Sequence, residues 1–159
     1  MRVPLEQLED QGPFNAVIAS RSLHHIHDLE GALDRIRALL RPGGTVVVNE
    51  HAYELMDDAT AEWYFERRRE HAHGGGAHPA PASLDACKED WHGHHAELHR
   101  SDAMLAALDE RFRRRVLEWG PYLFEELGAV TSASEERGLI EAGRIRATGF
   151  RYVGQLQAR

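Results

Sequence analysis

The sequence predicts an α/β fold organised around a parallel sheet, and two apolar runs separated by a helix-like segment predict it. Residues 14–19, FNAVIA, lie between a DQGP turn signal and the polar residues SRS. Residues 45–50, TVVVNE, form the second run and follow a Pro-Gly-Gly turn. Strand, helix, short turn and strand in this order form a βαβ unit, whose strands are almost always parallel. Both runs are typical of strands buried on both faces.

The helix between these strands has recognisable signals at both ends. Asp28 is predicted to cap its N-terminus. Pro42-Gly43-Gly44 is predicted to end it, as glycine after the last turn commonly does. Five apolar residues fall at spacings that place them on one face of this helix: Leu29, Leu33, Ile36, Leu39 and Leu40.

Composition places the chain among ordinary globular proteins. Its 159 residues suffice for one core, and its net charge of −7 argues against broad nucleic-acid binding. The basic run at 111–115, RFRRR, is interpreted as a solvated helix face among acidic residues.

No apolar run approaches the roughly 20 residues that cross a bilayer, and the N-terminus has no signal-peptide character. With Cys87 as the single cysteine, no disulfide can form within the chain, and we expect a cytoplasmic protein without a membrane partner.

The middle of the chain is predicted to be mostly helical. Residues 54–72 read as a helix, and a glycine- and proline-rich break at 74–83 predicts a flexible loop. From 84 to 127 the pattern is helical again in two or three pieces, with a break at Gly120-Pro121. One apolar side of these pieces is marked by Leu98, Leu105, Leu108, Phe112 and Val116.

The C-terminal part is predicted to be a helix followed by extended chain. Residues 134–143 form the helix, with Ser134 as its cap and Gly143 as its stop. Residues 144–159 alternate well enough to be a strand or a hairpin.

The stretch from Phe14 to Glu50 resembles the second half of a class I S-adenosylmethionine-dependent methyltransferase. The turn Ser22-Leu23-His24-His25-Ile26, the helix end LLRPGG at 39–44 and the following apolar strand carry this resemblance. It implies a partial Rossmann-like sheet with strands equivalent to 4-5-7-6 of that family. The core would then comprise 1–53 and 128–159, with 54–127 as a helical cap inserted to hold the substrate.

Two family elements that hold the cofactor are not found in the sequence. These are the glycine-rich loop after the first strand, whose backbone approaches the ligand, and the acidic residue that binds the ribose hydroxyls. We therefore expect an N-terminally truncated methyltransferase that is weak or inactive alone. A misassigned start, a shortened or split gene and completion by another chain are the three explanations.

The same comparison predicts that the strand at 14–19 forms a bare sheet edge, where a strand 1 would otherwise pair. An apolar edge promotes association with other chains. The alternative function is therefore a non-catalytic module that pairs through this edge, as a homodimer or with a separate N-terminal half.

The resemblance implies S-adenosylmethionine as cofactor and a small organic molecule as methyl acceptor. Ser20, Arg21 and Ser22 would bind the cofactor, because this turn faces its methionine end in the family. His25 would orient or deprotonate the acceptor, or else hold the turn by a hydrogen bond. For His24, a turn-holding role is favoured.

Glu50 and His51 end the second predicted strand and are the other two catalytic candidates. They would bind the acceptor or act as a base, and simple solvation at a strand end is the competing interpretation. Transfer from a sulfonium requires little beyond in-line positioning of the nucleophile, so the sequence does not single out one catalytic residue.

Aromatic residues and histidines complete the set of candidates. Four aromatic residues could wall an acceptor pocket, although core packing is favoured: Trp63, Tyr64, Trp91 and Trp119. Seven of the 11 histidines lie between 71 and 99 and predict a solvated, histidine-rich lid. His95 and His99 have the spacing of a zinc pair, but without an HExxH pattern or supporting cysteines no metal is expected.

Overall fold

The computed structural model describes residues 12–73 and 79–157. The segment that precedes Gly12, His78 and the 74–78 part of the predicted loop lie outside the described residues. Among the residues described, no helix is long and apolar enough to cross a membrane.

Helices and strands alternate in the first third of the chain, and helices dominate the middle. The strands are β1 (Phe14–Ser20), β2 (Leu40–His51), β3 (Arg113–Gly120) and β4 (Gly149–Gln155). The α-helices are α1 (Leu29–Leu39), α2 (Asp58–His73), α3 (Leu84–His95), α4 (Ser101–Arg111), α5 (Phe124–Leu127) and α6 (Ala133–Glu141). Short 3-10 turns occupy Leu23–His25, Tyr53–Leu55 and Gly128–Val130.

The four strands form one sheet in the order β1-β2-β4-β3. β1 and β2 are parallel, with Val17 opposite Val46 and Ala19 opposite Val48, which confirms the predicted βαβ unit. Since β1 to β4 follow one another in sequence, this order is the predicted 4-5-7-6 arrangement. The α/β fold class is confirmed.

The predicted cap of α1 is confirmed, and its C-terminus lies slightly earlier than expected. Asp28 Oδ1 accepts the backbone N–H of Gly31 at 2.9 Å. The helix ends at Leu39, and Leu40 already pairs with Phe14 of β1. The next pair is Ala16 with Thr45. Between the two pairs β1 advances by two residues, whereas β2 advances by five, which include Pro42-Gly43-Gly44. The turn therefore protrudes from the sheet, after the helix has ended.

The prediction that β1 is buried on both faces is wrong. β1 is an edge strand in the described sheet, with Ile18 70% and Phe14 38% exposed. Ala19 is the buried residue of this strand, whereas Val46 and Val48 of the neighbouring β2 are fully buried. An apolar run indicates a strand, but its burial depends on which elements cover it.

The helical interpretation of 111–115 is also wrong. α4 ends at Arg111, Phe112 is extended, and the following residues form β3, the opposite edge of the described sheet. Arg114 pairs with Asp109 and Arg115 with Gln155 of β4. Pairing with β4 overrides the helical pattern that Leu105, Leu108 and Phe112 begin, because tertiary contacts outweigh local propensity.

The C-terminal helix α6 is capped two residues earlier than predicted. Ser132, not Ser134, forms a reciprocal capping box with Glu135. Gly143 is confirmed as the stop, with φ +65° and its N–H donated to the carbonyl of Ile140. The chain then enters a single strand, β4, instead of a hairpin.

The chain divides into two compact units. The first comprises Met1–His51, His99–Glu118 and Phe150–Arg159, and the second comprises Ala52–Leu98 and Trp119–Gly149. These boundaries differ from the predicted core and cap in two places: β3 belongs to the sheet, and residues 128–149 lie in the second unit. The assignment of 54–127 to a substrate cap stays a prediction.

The second unit has its own apolar core, and two of the four candidate aromatic residues lie in it. The buried members of this core are Tyr64, Cys87, Trp91, Leu123 and Leu127. Trp63 packs partly buried against them, whereas Trp119 is 42% exposed. The Tyr64 hydroxyl donates to Glu126 at 2.8 Å, and burial raises the pKa of Tyr64.

Candidate active site

The candidate site lies in the first unit, where the parallel strands β1 and β2 both end. Carboxyl ends of parallel strands are where open α/β sheets bind ligands. Ser20 lies opposite Asn49, and the backbone N–H of Arg21 donates to the Asn49 carbonyl at 2.9 Å. Arg21 adopts φ +49°, a conformation uncommon for residues other than glycine. This sharp bend directs the chain into the 3-10 turn Leu23–His25.

Glu50 holds this turn from within the protein. Its side chain is 1% exposed, and its Oε1 accepts the backbone N–H of Ser22 at 2.6 Å and of Leu23 at 2.7 Å. Its Oε2 contacts Nδ1 of His24 in a short hydrogen bond. The carboxylate therefore binds three donors of one turn, which is not simple solvation at a strand end.

His24 is fixed by this contact in a defined orientation. The residue is 5% exposed, and because a carboxylate accepts, Nδ1 carries the proton of this hydrogen bond. When the ring is neutral, its lone pair lies on Nε2, for which the described part of the chain provides no hydrogen-bond partner. A histidine oriented by a buried carboxylate is the arrangement of a general base and the group that orients it.

The other two histidines of the cluster differ in exposure. His25 is exposed, and its ring centroid lies 4.1 Å from that of His24. Partial desolvation lowers the pKa of His25, the nearby His24 lowers it further, and Glu50 opposes both effects. His51 is buried and faces the His24 ring edge-on at 6.4 Å between centroids.

All the predicted site residues meet at this end of the sheet, but the sequence did not reveal the partner of one neighbour. Ser20, Arg21, Ser22, His25, Glu50 and His51 lie on the two segments described above. His24, assigned only to hold the turn, is the histidine that pairs with Glu50. The two residues are 26 positions apart, and no local spacing rule links them. The contact between His24 and Glu50 can be predicted only when the register of β1 against β2 is known.

The histidines between 71 and 99 are used largely to bind backbone carbonyl groups. Nδ1 of His71 lies 2.7 Å from the Leu127 oxygen, and Nδ1 of His95 lies 2.6 Å from the Trp91 oxygen. His95 is buried, with its ring stacked at 5.1 Å from that of Tyr53. The prediction of a solvated histidine-rich lid is therefore wrong for His95.

A scan of protein families matches residues 3–94 to a family described as "Methyltransferase domain". Two fungal proteins share short regions with the chain. Polyketide synthase 19 of Gibberella fujikuroi is 47% identical over 53 residues, which cover 33% of this chain and 2% of that protein. The reducing polyketide synthase Preu2 of Preussia isomera is 45% identical over 49 residues, covering 28% and 2%. The regions shared with this chain thus span 2% of the length of each of these two relatives.

Solved structures with a similar fold include methyltransferases and a cyclase. An S-adenosylmethionine-dependent methyltransferase from Mesorhizobium loti aligns with a TM-score of 0.53 at 18% identity, covering 98% of this chain and 68% of that one. The [4+2]-cyclase SpnF aligns with a TM-score of 0.51 at 17% identity, covering 99% and 55%. These likenesses show the fold.

Proposed function

Because the chain belongs to the methyltransferase-domain family, we propose that it forms the acceptor side of an S-adenosylmethionine-dependent methyl-transfer site with His24 as general base. The buried hydrogen bond between His24 and Glu50 carries this proposal. When bound, S-adenosylmethionine supplies the methyl group as an electrophilic sulfonium substituent. The chain's own contribution is to orient the acceptor and to remove its proton.

The chemistry of the His24–Glu50 pair restricts the class of acceptor. An amine offers a lone pair directly, whereas a hydroxyl or a carbon beside a carbonyl releases its electron pair only when a base takes its proton. Nε2 of His24 takes that proton, and the carboxylate of Glu50 stabilises the resulting imidazolium. The acceptor is therefore a group that must lose a proton before it reacts, and we propose a hydroxyl or a carbonyl-activated carbon. Local identity to two polyketide synthases supports a molecule rich in carbonyl groups.

Proton removal can be tested without the methyl donor. The α-protons of an acetoacetyl thioester exchange with deuterium in D2O when a base removes them, and proton NMR follows this exchange. We expect the wild-type protein to accelerate the exchange above the buffer rate. A rate equal to that of buffer at all protein concentrations would contradict the proposed role of His24.

For the cofactor, we propose that these residues provide a partial site only. Ser20 ends β1 and Arg21 and Ser22 follow it at the ligand end of the sheet, which supports the proposal that they face the methionine end of the cofactor. The sequence contains no glycine-rich loop between a strand and a helix that would approach the adenosine. Gly43-Gly44 precedes the core of β2, at the end opposite to Glu50.

Because the chain would provide only part of the cofactor site, we expect it to bind the cofactor weakly on its own. Isothermal titration with S-adenosylhomocysteine is expected to give no saturation at micromolar concentrations, because no glycine-rich loop that would approach the adenosine is found in the 159-residue sequence. A dissociation constant in the micromolar range would contradict the partial site. The acceptor-side proton exchange does not depend on this result.

The exposed edge of β1 supports the second candidate function, a module that pairs with another chain. The two edges of the described sheet differ in chemistry. β3 carries Arg113, Arg114 and Arg115, and charged residues discourage edge pairing. β1 instead exposes Phe14 and Ile18. We propose that β1 pairs with a strand of a second copy or of a separate N-terminal half.

Pairing of two copies would be sensitive to Ile18. The Ile18→Lys variant is expected to shift the protein from dimer to monomer, because it places a charge on the apolar edge. Size-exclusion chromatography with light scattering measures this change, and Ala106→Lys, at an exposed position of α4, is the matched control. A monomeric wild type would contradict self-pairing and leave a heterologous half as the partner of this edge.

A further inference from the structure

We propose that His99 is a positioning residue that keeps the His24 turn in its active geometry. This inference rests on the proposed role of His24 as general base. His99 lies 75 residues after His24 and touches the turn through two separate hydrogen bonds. No local motif connects the two residues, and the sequence predicts only that His99 belongs to a solvated, histidine-rich lid.

The contacts of His99 fall on the last carbonyl groups of the turn. Its backbone N–H donates to the carbonyl oxygen of His24 at 3.1 Å. Its ring Nε2 lies 2.8 Å from the carbonyl oxygen of Ile26. Since a carbonyl can only accept, Nε2 of His99 carries the ring proton.

Glu50 and His99 therefore serve opposite ends of the same short turn. A helical turn leaves N–H groups unpaired at its start and carbonyl groups unpaired at its end. Glu50 accepts the N–H groups of Ser22 and Leu23, and His99 donates to the carbonyls of His24 and Ile26. The backbone that carries the His24 ring is thus fixed on both sides of the residue.

The support that His99 provides comes from an anchored element. His99 lies two residues before α4. The last residue of this helix is Arg111, whose side chain is 11% exposed. Arg111 Nε donates to Asp34 of α1 at 2.9 Å, and its guanidinium also pairs with Glu30. The hydrogen bond to Asp34 raises the pKa of Arg111 above its ordinary value, and the negative charges of Asp34 and Glu30 also raise it. α4 is therefore held to α1, and the hydrogen bonds of His99 connect the start of α4 to the turn.

The ring tautomers of the two histidines report this arrangement directly. Nitrogen-15 NMR of the imidazoles distinguishes a protonated Nδ1 from a protonated Nε2. In the wild-type protein at a pH where both rings are neutral, we expect His24 to carry its proton on Nδ1 and His99 on Nε2. A His99 ring protonated on Nδ1 would overturn the proposal without any substitution.

Two variants separate the donated hydrogen bond from the bulk of the ring. His99→Gln retains an N–H donor near the position of Nε2, whereas His99→Met has a similar length and no donor. We expect His24 to remain a single tautomer in His99→Gln and to become a mixture of both tautomers in His99→Met. Exposed His92, replaced by Gln, is the control and should leave the His24 signals unchanged.

Other outcomes contradict the positioning role. A single Nδ1–H tautomer of His24 in both variants would show that Glu50 alone orients the ring. A mixture in both variants would show that the donor of His99 is not the cause. If the expected tautomers are found but the wild type fails to accelerate deuterium exchange, the proposed base function fails while the structural coupling of His99 to His24 stands.

Discussion

Glu50→Ala is expected to lower the free energy of unfolding by about 3 kcal/mol or more, because it leaves three donors of one turn without their acceptor. The N–H groups of Ser22 and Leu23 and Nδ1 of His24 all bind this carboxylate. Glu50 and His24 are both nearly inaccessible, so water cannot replace the lost acceptor without entering the turn. Urea denaturation followed by circular dichroism measures the loss.

A matched control for this variant lies on the same sheet. Glu118→Ala removes an exposed carboxylate from β3 and is expected to change the free energy of unfolding by no more than about 0.5 kcal/mol. Equal effects of the two substitutions would show that Glu50 does not organise the turn.

Glu50→Gln distinguishes hydrogen-bond capacity from side-chain shape. The amide keeps the size of the carboxyl group but replaces one acceptor oxygen with an N–H2 donor, which would face another donor in this turn. We expect it to destabilise the protein as well, and to move the His24 proton from Nδ1 to Nε2 so that Nδ1 can accept. An unchanged His24 tautomer in this variant would contradict the assigned hydrogen bond.

The first part of the fold was accessible from sequence because its signals are local. Asp28 caps the helix that follows it, and the apolar residues of α1 repeat at helical spacing. The order of the sheet could be predicted from the family resemblance, which spans the segment from Phe14 to Glu50. Ser20, Arg21 and Ser22 were predicted from the same resemblance, and Glu50 from its place at the carboxyl end of the second predicted strand.

The errors concern features that depend on distant parts of the chain. The sequence predicts a helix where β3 lies, since Phe112 continues the apolar spacing of Leu105 and Leu108. The strand conformation of β3 arises from pairing with β4, which begins 29 positions after β3 ends. The exposure of Ile18 likewise depends on what covers β1, which an apolar run does not reveal.

The choice between His24 and His25 illustrates the same limit at the site. The two residues are adjacent, of one type, and on one turn, so sequence alone gives them equal chemistry. The structure buries His24 against Glu50 and leaves His25 exposed. A base requires an oriented ring, and orientation is a property of the partner that the fold brings to it.

His24→Gln is expected to reduce deuterium exchange into an acetoacetyl thioester to the buffer rate. A positioned general base typically contributes about 10²- to 10⁴-fold to a proton transfer, and the Gln amide has no basic lone pair with which to replace it. The backbone N–H groups of Ser22 and Leu23 still bind Glu50, so the turn should remain folded. Proton NMR in D2O measures the rate, and circular dichroism checks the fold.

The neighbouring histidine provides the control that decides the assignment. His25→Gln removes an exposed imidazole from the same turn and is expected to leave the exchange rate within about twofold of wild type, since surface substitutions rarely alter their surroundings. If His25→Gln abolished the exchange and His24→Gln did not, the base would be His25. The buried pair would then serve only to shape the turn, because an oriented lone pair that no substrate reaches cannot remove a proton.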